Sequence, residues 1–194
     1  MRKFMNSEQS GRSMVEMLGV LAIIGVLSVG GISGYSKAMA KFKLSKAMDQ
    51  MSMLVANIRT TYASMATYNG LTTANARNYG LASRDMFGRA SGELVNAFGG
   101  RVLLGAVDNN GITETGFAIV YNGLDKEACL SLATADWGSA GLIGISVDTT
   151  AVTKDPSGTP SPKFTTTSMP ISIGDAYKVC TKTTADNVIT WFYY

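Results

Sequence analysis

A run of twenty residues without a formal charge, Met17–Ser36, constrains this chain more than any other feature. It reads MLGVLAIIGVLSVGGISGYS. At ~1.5 Å of rise per residue, a helix of that length is roughly 30 Å long, the thickness of a bilayer's hydrocarbon core. The one acid beside the run is Glu16, at its head. A carboxylate at the bilayer centre costs roughly 2.5–3.5 kcal/mol on insertion scales, so an acid in such a segment is read as functional; the terminal position of Glu16 softens the cost. Before it lies a short polar leader that carries Arg2 and Lys3 and ends in Gly11. An ordinary secretory signal ends its apolar run in a small-residue cleavage site. Here the candidate cleavage point, Gly11, precedes the run, so the apolar segment is expected to stay with the mature protein.

Gly11 followed by Arg12-Ser13-Met14-Val15-Glu16 and then the apolar helix resembles the N-terminal signal of type IV prepilins and pseudopilins, over about residues 6–36. The resemblance implies a membrane prepilin peptidase that cuts after Gly11 and methylates the new N-terminus at Arg12. It also implies that Glu16, fifth in the mature chain, acts in subunit assembly. One departure from the family's signal matters: Arg12 stands where an apolar residue is usual. A plain signal-anchor helix is the alternative reading of the same residues.

The composition narrows the chemistry. The chain has 194 residues and is 46% hydrophobic, which suits one modest domain plus a helix. It has no histidine, so it lacks the commonest general base and the commonest metal ligand. No catalytic residue, metal site or cofactor is expected. The net charge of +3 is unevenly placed. Residues 67–194 hold nine basic and eleven acidic groups, so the excess of positive charge lies before them. The cluster Lys37, Lys41, Lys43 and Lys46 directly follows the apolar run. It suits anionic lipid headgroups or a solvated helix face. No basic stripe interleaved with aromatics points to nucleic acid. Both flanks of the run are basic, so charge alone does not set its orientation. Two cysteines, Cys129 and Cys180, are an even count. In an exported domain they argue for one disulfide, with two buried free thiols as the alternative.

Beyond the apolar run, Leu44, Met48, Met51, Val55, Ile58, Tyr62 and Met65 recur at alternating spacings of four and three. That is one face of a helix continuing to about Ala66, with Lys46, Asp49, Asn57 and Arg59 off the stripe. A helix of roughly 80 Å cannot be buried in the domain that follows, so its first half is expected to protrude. Gly19, Gly25, Gly30, Gly31 and Gly34 dot that half, and each costs ~1 kcal/mol relative to alanine. They permit close helix approach, and the pair Gly30-Gly31 is the expected weak point. Residues 67–100 read as a connecting loop, with turns at Asn69-Gly70 and Gly99-Gly100 and a short helix around Ser83–Phe87. Arg101–Val107 and Thr115–Tyr121 read as strands joined by Asp108-Asn109-Asn110-Gly111. Leu124–Ala135 reads as a helix with Asp125 and Glu127 in its first turn. Leu142–Val147 reads as a strand. Residues 148–170 hold all four prolines among Thr and Ser, and read as an exposed loop. Ile173–Cys180 reads as a short helix. Asn187–Tyr194 reads as a strand placed inside the sheet.

The C-terminal half resembles a narrower group, the type IVb pilins, with bundle-forming pilin of enteric bacteria among them. Three features carry this: Asn96-Ala97-Phe98-Gly99-Gly100, the string Leu124–Thr134 (LDKEACLSLAT), and the second cysteine near the end. The resemblance implies an α+β pilin fold, a long N-terminal α-helix whose C-terminal half packs on an antiparallel β-sheet. The expected divisions are a leader at 1–11, a helix at 12–66 with a membrane and filament-core segment at 12–36, and a globular domain at 67–194. The expected function is a structural subunit of a type IV, IVb-like pilus, a homo-oligomeric filament for adhesion, aggregation or motility. The subunit would sit in the inner membrane and its lipid before assembly, with the leader in the cytoplasm. It would be at the cell surface afterwards, with inner-membrane assembly machinery as partner. The alternatives are a pseudopilin of a type II secretion system and a membrane-anchored periplasmic binding domain.

Overall fold

The computed structural model describes residues 10–138 and 141–194, with the side chains of the first helix described from Met14. The chain divides into two units, Met1–Phe42 and Lys43–Tyr194. One helix, α1 (Ser10–Thr61), supplies the described part of the first unit and the opening of the second.

Within the second unit, α1 buries Ala47, Gln50, Met51, Leu54, Ile58 and, just past its end, Tyr62. Apart from the polar Gln50, they recur at spacings of three and four residues and make one apolar stripe, the face a helix turns to a core. Met51, Ile58 and Tyr62 lie on it as the sequence pattern predicts. Leu44, Met48 and Val55 are its half-buried margin, and Met65 is exposed. Three residues placed off the stripe face the domain instead. Lys46 pairs with Asp85, Asn57 donates to the Leu81 carbonyl, and Arg59 lies over the Tyr193 ring.

The helix ends at Thr61 rather than near Ala66. The chain turns there through bonds from Tyr62 to Ile58 and from Met65 to Tyr62. That turn brings Tyr68 against Tyr62 and Phe117, with ring centroids 5.3 and 4.9 Å apart. Continuing the helix would forfeit this aromatic cluster, so tertiary packing overrides a sequence pattern that could run further.

Among the described residues, six strands form one antiparallel sheet: β1 (Leu94–Val95), β2 (Arg101–Asn109), β3 (Ile112–Leu124), β4 (Leu142–Asp148), β5 (Phe164–Thr165) and β6 (Asn187–Tyr193). Their order is β1-β2-β3-β6-β4-β5. The hairpin β2–β3 closes on Asn110-Gly111, both at positive φ, the geometry in which an Asn-Gly turn matches strand twist. The C-terminal strand β6 is central, paired with β3 on one side and β4 on the other. All seven of its residues are buried. Its apolar and aromatic run therefore fills both faces of the sheet, as a two-sided strand requires.

The face carrying Phe117, Ile119, Tyr121, Ile189, Trp191 and Tyr193 joins the α1 stripe in the main core. Cross-strand register sets Ile119 beside Trp191 and stacks Phe117 on Tyr193 at 5.2 Å. Each such side chain removed from water contributes about 1.5–3 kcal/mol, so the central pair of strands dominates the domain's stability.

Two short helices follow the strands. α2 (Lys126–Ala133) begins at Asp125, which is the N-cap rather than a first-turn residue and accepts from the Ala128 N–H. α3 (Ile173–Val179) is capped by Ser172. Cys129 on α2 and Cys180 just after α3 are both fully buried and form a disulfide with Cα atoms 5.8 Å apart.

The segment read as a plain exposed loop, 148–170, is more structured than its prolines suggest. It contributes β5 and a 3₁₀ turn, Thr166–Ser168. It also crosses the outer face of the sheet, where Val152 packs on Leu103, Val120 and Val188. The 67–100 connection likewise carries a strand, β1, and an isolated bridge from Thr72 to Gly105. Its short helix is a single 3₁₀ turn, Arg84–Met86.

Candidate functional site

The first unit offers an uncovered apolar surface. From Met14 to Ala38, every residue of α1 is exposed. Val20 is 51% exposed, Leu18 66% and Val29 73%. The helix is long and apolar enough to cross a membrane, and its most apolar stretch is wholly unburied. Isolated apolar side chains on a surface are ordinary, but a contiguous patch of this kind is a surface that another molecule or a membrane covers.

Glu16 is exposed at the head of that surface, and no other acid appears in α1 before Asp49. On a helix it shares a face with the residue four after it, Val20. Gly11 and Arg12 lie in the first turns of α1, with their side chains outside the described residues. The leader before Ser10 also lies outside them. Gly30 and Gly31 sit inside the uninterrupted helix, and a methyl group built on either meets nothing within 4 Å. Space around them is therefore available to a neighbour. Lys37, Lys41 and Lys43 are exposed just beyond the apolar surface.

In the second unit the structure brings Cys129 and Cys180 together in the core, tying α2 to α3. A cluster that the sequence reading missed fastens the 67–100 connection to α1. Asp85 accepts from Ser83 Oγ at 2.5 Å and from Gln50 Nε2 at 2.8 Å, and Lys46 Nζ lies 2.9 Å away. The Ser83 hydrogen bond, then Lys46, hold the Asp85 carboxyl down at about 2. Neither partner was recognisable beforehand, because the contact joins residues thirty-five or more apart.

Three buried asparagines were missed as well. Asn96 accepts from the N–H groups of Phe98 and Gly100 and donates to the Asn122 carbonyl. Asn122 accepts from Val152 N, and Asn187 donates to the carbonyls of Leu124 and Lys182. They satisfy main-chain groups at strand ends where the ladder stops. The string Asn96–Gly100 was singled out for its resemblance, and this network is its physical role.

Among the described residues no group of three or more His, Cys, Asp or Glu could hold a metal ion. Tyr121 is buried without a partner for its hydroxyl, and burial raises its pKa far above the usual value, so it stays neutral.

The family model of bundlin matches residues 37–193. The major structural subunit of the bundle-forming pilus from Escherichia coli O111:H- is 27% identical over 191 residues, covering 98% of this chain and 97% of that protein. A toxin coregulated pilin of Vibrio cholerae serotype O1 is 27% identical over 142 residues, covering 69% of this chain and 63% of that protein. Among solved structures, a type IV pilin from Vibrio cholerae El Tor biotype superposes with a TM-score of 0.52 at 20% identity, covering 78% of this chain and 99% of that one. A type IVb pilin from Salmonella typhi gives 0.52 at 21% identity, over 76% and 97%. At those identities the two structures establish the fold, an N-terminal helix with an antiparallel sheet. The family model spans far more than half of the sequence, and by that match this chain belongs to the bundlin family of type IV pilins.

Proposed function

We propose that this chain is a structural subunit of a type IVb pilus, joined to its neighbours through the N-terminal part of α1. The observation that carries the reading is the uncovered apolar helix surface headed by Glu16, in a chain whose relatives are pilus subunits. Before assembly the bilayer covers that surface, with the leader on the cytoplasmic side. In the filament, the equivalent helices of other copies cover it. A prepilin peptidase removes residues 1–11 and methylates Arg12. Residues 12–36 are then the filament-core segment, and residues 67–194, with the second part of α1, form the surface domain.

Glu16 has a defined part in this scheme. In a helix bundle that excludes water, an unpaired carboxylate is heavily penalised and a paired one is tolerated. The new amino group at Arg12 of an adjacent copy supplies the partner. At ~4 Å and an effective dielectric of ~20, that attraction is about 4 kcal/mol, enough to select one axial register over its neighbours. Gly30-Gly31 is where the helix yields as a subunit leaves the bilayer, since glycine gives up ~1 kcal/mol per residue relative to alanine.

The test compares Glu16→Ala and Glu16→Gln with the wild type, measuring sheared-fibre yield against membrane-bound subunit. Both variants are expected to insert into the membrane normally and to lose most fibres. Gln keeps the shape without the charge, so it separates electrostatics from packing. Wild-type fibre yield from both variants would remove Glu16 from the mechanism.

A further inference from the structure

Residues 155–163, DPSGTPSPK, form a strap that is fixed to the sheet by its backbone and its prolines while its hydroxyls face outward. Asp155 accepts from the Thr73 hydroxyl at 2.5 Å and from the Thr73 N–H at 3.1 Å. The Gly158 carbonyl accepts from the Asp108 N–H at 2.9 Å. Ser146 Oγ accepts from the Lys163 N–H at 3.2 Å, and the Lys163 ammonium donates to the Val147 carbonyl at 2.7 Å. Pro156 lies against Gly105 and Pro162 against Gly144, so closely that a methyl group on either glycine would collide. Pro156, Pro160 and Pro162 are half-buried, whereas the alternating residues Ser157, Thr159 and Ser161 are exposed.

Those hydroxyls serve no evident structural purpose. Among the described residues, neither Ser157 Oγ nor Ser161 Oγ has a hydrogen-bond partner, and Thr159 makes only a 3.4 Å contact to Asp108. A methyl group built on Gly158 meets nothing within 4 Å, so the surface around the hydroxyls is open. Pro/Ser/Thr-rich composition of this kind accompanies O-glycosylation in exported proteins.

We propose that this strap is an O-glycosylation site, with Ser157, Thr159 and Ser161 as acceptors. The inference stands apart from the filament reading and requires only that the domain is exported. Proline-spaced hydroxyls in an exported domain select a sugar over a phosphate. The prolines turn their apolar surface inward, which leaves no apolar anchor for a protein partner. In the transfer step, a hydroxyl oxygen attacks the anomeric carbon of a glycosyl diphosphate donor. The new C–O bond forms as the bond to the diphosphate breaks. The diphosphate departs with the electron pair, and the hydroxyl proton passes to a base of the transferase.

Trypsin releases the strap as one peptide, residues 155–163, by cutting after Lys154 and Lys163. The test is mass spectrometry of this peptide from the full-length protein purified from its own cells. The expected result is one or more whole sugar residues on it, localised to the three hydroxyl positions by fragmentation that preserves side-chain groups. A triple variant, Ser157→Ala with Thr159→Ala and Ser161→Ala, is expected to lose the added mass. It should keep the disulfide and the far-ultraviolet spectrum, since none of these side chains holds the fold. Recovery of the native peptide only at its unmodified mass, or with phosphate in place of sugar, would overturn the proposal.

Discussion

Asp85 is the residue through which the 67–100 connection is fastened to α1, and its chemistry gives that fastening a pH dependence. Folding lowers its carboxyl from the ordinary 3.8 to about 2, chiefly through the Ser83 hydrogen bond and then Lys46. A carboxylate depressed by folding contributes stability that is complete once the unfolded group is ionised, above pH ~4. That contribution is lost as the pH falls through about 2. Lys46 and Asp85 are 39% and 41% exposed, so solvent screens the pair and its worth stays below about 1 kcal/mol. Asp85→Asn is therefore expected to lower the thermal midpoint slightly at pH 7 and to flatten its decline between pH 4 and 2. Thermal unfolding of the full chain in detergent at a series of pH values measures both effects. An acid limb identical to the wild type would show that Asp85 plays no part in it.

Among the elements, legibility in the sequence follows how local the cause is. The β2–β3 hairpin was readable because Asn110-Gly111 sets its own turn and Phe117, Ile119 and Tyr121 alternate on one face. The C-terminal strand was readable because NVITWFY is apolar enough to demand burial on both faces. β1 and β5 were not readable, since each is two residues long and exists only through its partner strand. The end of α1 was misplaced for a similar reason. Periodicity continues past Thr61, but Tyr68 and Phe117 draw the chain away, and neither ring is local to the helix. The strap's prolines signalled irregular backbone correctly, while its packing on Gly105 and Gly144 depended on a sheet face that a linear reading cannot see. The disulfide needed only an even cysteine count and an exported setting, and its place in the core gives it a measurable effect. It closes a separation of 51 residues, for which chain entropy assigns ~4 kcal/mol as an upper figure. Replacing both cysteines by serine is expected to cost a few kcal/mol, loosening the segment between α2 and β6. Denaturant unfolding of the variant against the wild type reads the loss. An unchanged midpoint would mean that packing around α2 and α3 holds without the bridge.

At the scale of the whole molecule, the proposed function gives the same α1 surface two surroundings to satisfy, and the proposed processing at Gly11 separates them. In the bilayer, an apolar helix from Met14 to Ser36 needs no partner, and Glu16 near its end can remain hydrated at the headgroups. In a filament, water is excluded and Glu16 needs a cation. The uncleaved chain presents Gly11 and its leader where the mature chain presents a free amine. On that proposal Arg12 adds a guanidinium at the same end, so the mature N-terminus would carry two positive charges rather than the amine's one. The arrangement strengthens the attraction to Glu16 and also raises the cost of a terminus left unpaired. Subunits in sheared fibres are therefore expected to begin at Arg12, with one methyl group on the amine, whereas cells lacking the peptidase should hold only the uncleaved form in the membrane. Arg12→Phe removes one of the two charges and is expected to assemble with the amine alone. Arg12→Glu places a second carboxylate at the pairing site and is expected to cut fibre yield severely while leaving membrane insertion intact. Intact mass of the fibre subunit and fibre yield for the two variants decide the matter. Full-length chains in assembled fibres, or equal yields from Arg12→Phe and Arg12→Glu, would show that the positive end of the mature chain is not what Glu16 meets.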